Sequence, residues 1–128
     1  MQESGEMYLE TIYLLGMERP DVRAVDVAER MQYSKPSVSR AVSILKAEGY
    51  VTADGKGRLF LTEEGERIAK TIIERHELFT EVLLKLGVSR ENAIKDACRI
   101  EHVISHESTQ AIKEYMNVIN CRGGKRSV

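Results

Sequence analysis

Apolar positions along the chain recur mostly at three- to four-residue spacing, and in one stretch they alternate instead. Met7, Leu9, Ile12, Tyr13, Leu14, Leu15 and Met17 keep helical spacing up to "RPD", which predicts an amphipathic helix over residues 4–18 that Pro20 ends. A short second helix, "AVDVAERM", turns Val25, Ala28 and Met31 inward and gives way to the polar break "QYS". In "SKPSVSRAVSILKAEGY", Ser34 caps, Pro36 suits a first turn, Val38, Ala41, Val42 and Leu45 form a buried stripe, and Gly49 stops the helix. Two helices joined by so tight a turn make a helix-turn-helix. The alternation follows at once: "YVTADGKGRLFLT" reads as two strands around a turn through Asp54 and Gly55, a wing directly behind the third helix.

Helical spacing then resumes. Thr62 caps "EEGERIAKTIIERHELFTEVLLKL", Glu63 and Glu64 sit at the positive end of its dipole, and Gly87 ends it. Ser89 and Ser105 cap two further helices before the polar, basic "NCRGGKRSV". The pattern predicts a mainly α fold: an N-terminal winged helix-turn-helix domain over residues 1–62, a C-terminal helical domain over 63–120, and a flexible tail over 121–128.

Composition narrows the function classes. A chain of 128 residues with 42% hydrophobic and 30% charged positions is that of a folded protein of one domain or two small ones. No run approaches the roughly 18 apolar residues of a membrane span. The start "MQESGEMYLE" has no signal-peptide pattern, so a cytoplasmic protein with no membrane partner is expected. Its two cysteines, Cys98 and Cys121, then read as reduced thiols.

A net charge of −1 gives no global footprint for nucleic acid, so any such surface must be local. From Ser34 to Arg58 five bases face two acids, a local charge of +3. Opposite its apolar stripe the third helix carries Lys35, Ser37, Ser39, Arg40, Ser43 and Lys46, and no acid. With Ser34 and Pro36 at the helix entry, Ser37, Ser39 and Arg40 are placed to reach base edges, while Lys35, Lys46, Lys56 and Arg58 suit the phosphate backbone. The competing reading is a solvated helix face; the tight turn and the wing favour double-stranded DNA. One such module makes a small interface, so a homodimer on a palindromic operator is expected.

The stretch "DACRIEH" raises a separate chemistry. Cys98, Glu101 and His102 fall at spacings 0, 3 and 4, on one helix face. Singly, Cys98 reads as a small buried apolar residue and His102 as a satisfied histidine. Together a thiolate, a carboxylate and an imidazole suit a transition metal. One turn leaves a coordination sphere incomplete, and Met7 and Glu10 on the first helix and His76 on the fourth supply further donors. Reading Cys98 with His102 as a nucleophile and base fails, because Cys98 is mid-helix with no oxyanion site about it; no enzyme activity and no small organic substrate are expected. His106 and Cys121 read as bystanders.

"EMYLETIYLL", "SVSRAVSILKAEGYV", "LTEEGERIA", "RHELFTEVLL" and "ACRIEHVIS" occur here in the order they take in the diphtheria toxin repressor family, which includes the manganese transport regulators, and nearly the whole chain resembles that family. The resemblance implies a dimeric repressor of metal homeostasis genes: a winged helix, a helical metal-binding and dimerisation domain, and a divalent metal as co-repressor. The primary site of iron-sensing members falls here on Met7, Cys98, Glu101 and His102. Their ancillary site begins at His76 but continues through positions that are Thr80 and Ile94 here, neither of them a ligand. The manganese type uses an Asp and a Glu of helix 1, the same His and an "ExxEH" motif; Glu10 and His76 match, while Met7 and Cys98 stand in for its Asp and Glu. Nothing in the sequence matches the SH3-like domain of the longer members. The soft donors Met7 and Cys98 favour Fe(II) as co-repressor. A Mn(II)-responsive regulator and a metal-independent winged-helix regulator are the alternatives.

Overall fold

The computed structural model describes the backbone of residues 3–127 and the side chains of residues 4–121, so most of the expected tail lies outside the described side chains. The elements run α1 (Glu3–Glu18), α2 (Ala24–Met31), α3 (Lys35–Ala47), β1 (Val51–Ala53), β2 (Leu59–Leu61), α4 (Glu63–Lys85), α5 (Arg90–Val103) and α6 (His106–Ser127). The chain divides into two compact units, Met1–Ile73 and Glu74–Val128, with the boundary inside α4. The fold is mainly helical, with an N-terminal winged helix-turn-helix and a C-terminal helical region.

In the first unit Leu9, Ile12 and Leu15 of α1, Val27 and Ala28 of α2, and Val38, Val42 and Leu45 of α3 close on one core with Val51, Leu59 and Ala69. Each large side chain buried in this way contributes about 1.5–3 kcal/mol. The apolar faces differ in detail from those the spacing predicts. Val27, fully buried, shares the inward stripe of α2 with Ala28 and the half-buried Met31, and Val25 is 44% exposed to one side of it. On α1, Met17 is 71% exposed, whereas Tyr8 is buried.

Two short devices fix the angle at which α3 stands. Gln32, at φ 60 and ψ 40, ends α2 in the left-handed region. Ser34 then starts α3, its Oγ accepting from the Ser37 amide at 3.3 Å. At the far end Gly49 takes φ +87, the Tyr50 amide donates to Leu45 O and the Gly49 amide to Lys46 O, which turns the chain straight into β1.

The wing is antiparallel, with Val51 opposite Leu61 and Ala53 opposite Leu59. A third segment braces it: Arg23 bridges to Arg58, the Leu59 amide donates to Val22 O at 2.7 Å, and the Arg23 guanidinium donates to Lys56 O. Thr62 ties the wing to α4, donating from its hydroxyl to Gly49 O at 2.8 Å and accepting from the Gly65 amide at 3.1 Å.

The second unit holds the rest of α4 with α5 and α6. Ser89 caps α5 through the Asn92 amide, and Ser105 caps α6 through the Ser108 amide. Along α5 the buried positions are Ala93, Ala97 and Glu101, four apart. The third place in an otherwise apolar stripe is therefore a carboxylate, and a buried charge needs a partner.

Candidate metal centre and nucleic-acid interface

Two imidazoles meet that carboxylate. Glu101 is fully buried; its Oε2 lies 2.9 Å from His76 Nδ1 on α4, and its Oε1 lies 3.3 Å from His102 Nε2. The 2.9 Å separation is that of a hydrogen bond between the imidazole and the carboxylate, and an ionised carboxylate can only accept in it. The helices are held locally as well, Arg75 donating from Nη1 to the Glu101 carbonyl at 3.3 Å. The Glu101 and His102 side chains are 0% and 1% exposed, whereas that of His76 is 29% exposed and reaches the surface. Two imidazoles and a carboxylate are a donor set that fits a divalent transition ion.

The remaining sequence-derived donors are placed as follows. Cys98 lies three residues before Glu101 on α5 and is exposed. Met7 and Glu10 sit about one turn apart on α1, in the first unit, both partly buried. Thr80 and Ile94 line a groove of about 520 Å³ in the second unit together with His76, Glu77, Glu81 and Arg90. The Thr80 hydroxyl is buried there with no hydrogen-bond partner among the described residues.

On the first unit the basic face resolves into two kinds of cation. Arg58 donates from Nε to Asp54 Oδ2 at 2.6 Å, and Asp54 Oδ1 also accepts from the Lys56 and Arg58 amides at 2.9 Å each. Those bonds, the Arg58 amide foremost, hold the Asp54 carboxyl below the usual carboxylate range, so Arg58 braces the wing tip in this structure. Lys35, Arg40, Lys46 and Lys56 are exposed, and none has an ion pair among the described residues. Ser34 and Ser37 are engaged with one another, the Ser34 hydroxyl 2.9 Å from Ser37 Oγ; Pro36 and Ser39 are exposed.

Two residues absent from the sequence reading belong to this surface. Arg23 clamps the wing, a role no local pattern signals. Tyr33, 46% exposed at the approach to α3, packs edge-on against Tyr8 of α1 with ring centres 6.0 Å apart. Burial, and then the neighbouring Tyr33, push the Tyr8 phenol above its ordinary value, against the opposing pull of Arg40.

Comparison with known proteins covers both halves of the chain. Residues 1–59 match the N-terminal DNA-binding domain of the iron-dependent repressors, and residues 62–122 match their metal-binding and dimerisation domain. The HTH-type transcriptional regulator MntR of Lysinibacillus sphaericus is 34% identical over 116 residues, 91% of this chain and 84% of that one. The iron-dependent repressor IdeR of Mycobacterium bovis is also 34% identical, over 90% of this chain and 50% of that one. The solved structure of the manganese regulator SloR matches at TM-score 0.78 and 27% identity, over 88% of this chain and 53% of that one. The chain thus spans about half the length of the latter two relatives. It belongs to the iron-dependent repressor family of metal-dependent, DNA-binding regulators.

Proposed function

From that membership we propose that the protein represses metal homeostasis genes as a homodimer on a palindromic operator, with a divalent metal as co-repressor. The observation that carries the metal-dependent reading is the buried Glu101 carboxylate facing His76 and His102. His76, Glu101 and His102, with Cys98 of the same helix as Glu101 and with Met7 and Glu10 of α1, are the residues that would hold the ion. Bound there, it would supply the positive charge that a buried carboxylate requires. Donors drawn from α1 and from α4 and α5 satisfy one ion only in a limited range of orientations of the helices that carry them. Loss of that freedom favours a fixed spacing of the two recognition helices of a dimer, and the linkage is reciprocal: DNA tightens metal binding by the factor by which metal tightens DNA binding, about 5- to 150-fold for a coupling of ~1–3 kcal/mol.

On metal choice, the imidazole and carboxylate donors of the second unit, and the likeness to a regulator named for manganese, support Mn(II) as the first reading. Fe(II) is the second, favoured by the thioether of Met7, the thiolate of Cys98 and the likeness to an iron-dependent repressor. Later divalent metals are expected to bind more tightly in vitro than either.

The test is selection of duplexes from a random pool by the chelated protein, repeated anaerobically with Mn(II), Fe(II) or no metal. Selection of a palindrome only with metal is the expected result, and the stronger of the two metals assigns the co-repressor. Equal selection in all three arms would leave a metal-independent winged-helix regulator.

A further inference from the structure

The first unit contains six arginines, and five have a carboxylate partner: Arg19 with Asp26 at 3.0 Å, Arg23 with Asp21 at 3.3 Å, Arg30 with Glu18 at 2.7 Å, Arg58 with Asp54 at 2.6 Å and Arg67 with Glu64 at 2.6 Å. Arg40 is the exception among the described residues, and it is exposed. Its place on α3 is as distinctive as its lack of a partner. At about 100° per residue it stands opposite the buried stripe of Val38, Val42 and Leu45, on the line where the helix projects furthest from its own core. Lys35 and Lys46 fall instead on the flank of the helix, where a groove wall would be met. Around Arg40 the outward face is uncharged: Pro36, Ser43 and Ala47 are exposed, and Ile44 is 58% exposed. The neighbouring Tyr8 phenol, whose ordinary value near 10 is raised further by burial, brings no charge at neutral pH.

A guanidinium in this position has its planar donor fork free, and in a major groove the matching acceptor pair is O6 and N7 of guanine. We infer that Arg40 is the specificity-determining residue of the recognition helix and reads a guanine in each half-site, with Lys35, Lys46 and Lys56 holding phosphates around it. The inference rests on the DNA-binding reading above and adds the base that is read.

The test is the same pool selection, made with the metal-loaded full chain and with Arg40→Ala, Arg40→Gln and Lys46→Ala variants whose helix content is checked by circular dichroism. The wild type is expected to select a guanine at one fixed position of each half-site. Arg40→Ala should lose that preference and bind the selected duplex about 5- to 150-fold more weakly, and Arg40→Gln should move the preference to adenine, which glutamine pairs through N6 and N7. Lys46→Ala should weaken all sequences alike and lower the salt slope by about one. If Arg40→Ala instead behaved like Lys46→Ala, with base preferences unchanged, Arg40 would be a phosphate contact and the inference would fail while the DNA-binding reading stood. If the wild type selected no sequence, both would fall.

Discussion

His76 Nδ1 and Glu101 Oε2, separated by 25 positions of sequence, lie 2.9 Å apart in the second unit. The contact joins the middle of α4 to the last turn of α5 and orients the His76 ring. Wild-type protein should therefore gain thermal stability on adding Mn(II) or Fe(II), by mass action on the folded state. Glu101→Gln, which keeps the shape and removes the charge, should abolish that gain. His76→Ala should lower metal affinity at least about 10- to 100-fold, the usual cost of losing a partner that orients a ligand. A wild-type metal-induced shift in Tm for Glu101→Gln would remove the carboxylate from the site.

Gly65 sits where a side chain has no room. A Cβ there would lie 2.2 Å from the Tyr50 carbonyl oxygen, a backbone atom that accepts from the Thr62 amide and cannot swing aside. Gly65→Ala should cost about 1–3 kcal/mol, as overpacking does. Gly16→Ala, in the last turn of α1 with nothing within 4 Å, should instead stabilise by up to about 0.5–1 kcal/mol. Urea unfolding midpoints of the two variants check the pair, and equal midpoints would show that the wing-to-α4 approach is looser than 2.2 Å implies.

The wing tip should respond to acid. The Asp54 carboxyl is held below its ordinary value, first by the Arg58 amide and further by the Arg58 guanidinium and the Lys56 amide. A depressed folded value means that the contribution of Asp54 to the wing is complete above the ordinary carboxyl range near pH 4 and is lost as pH falls through the lower folded value. Amide NMR shifts of Lys56 and Arg58 should titrate together with a midpoint below about 4, and Asp54→Asn should remove the titration. A midpoint at the ordinary aspartate value would mean that the tip hydrogen bonds do not hold in solution.

Element order was legible in the sequence because it depends on local chemistry. Ser34, Ser89 and Ser105 cap the helices predicted for them, Gly49 and Gly87 end theirs at positive φ, and the alternation around Asp54 forms the hairpin. The donor types were legible for a similar reason: spacings of three and four put Cys98, Glu101 and His102 on neighbouring turns wherever α5 packs. Helical spacing leaves a helix free to rotate about its axis, however, so it did not decide that Val27 rather than Val25 faces the core of the first unit, or that Glu101 takes the buried position in line with Ala93 and Ala97 while Cys98 stays exposed. Nor does a composition of bases and acids pair them. Only packing brought Arg23 to the wing and His76 to Glu101, and left Arg40 alone among the arginines of its unit without a carboxylate among the described residues. The sequence by itself determined which helices and which ligand chemistries this protein has, because capping and periodicity act over a few residues. The tertiary structure decided which groups face one another, because those contacts join residues distant in the chain.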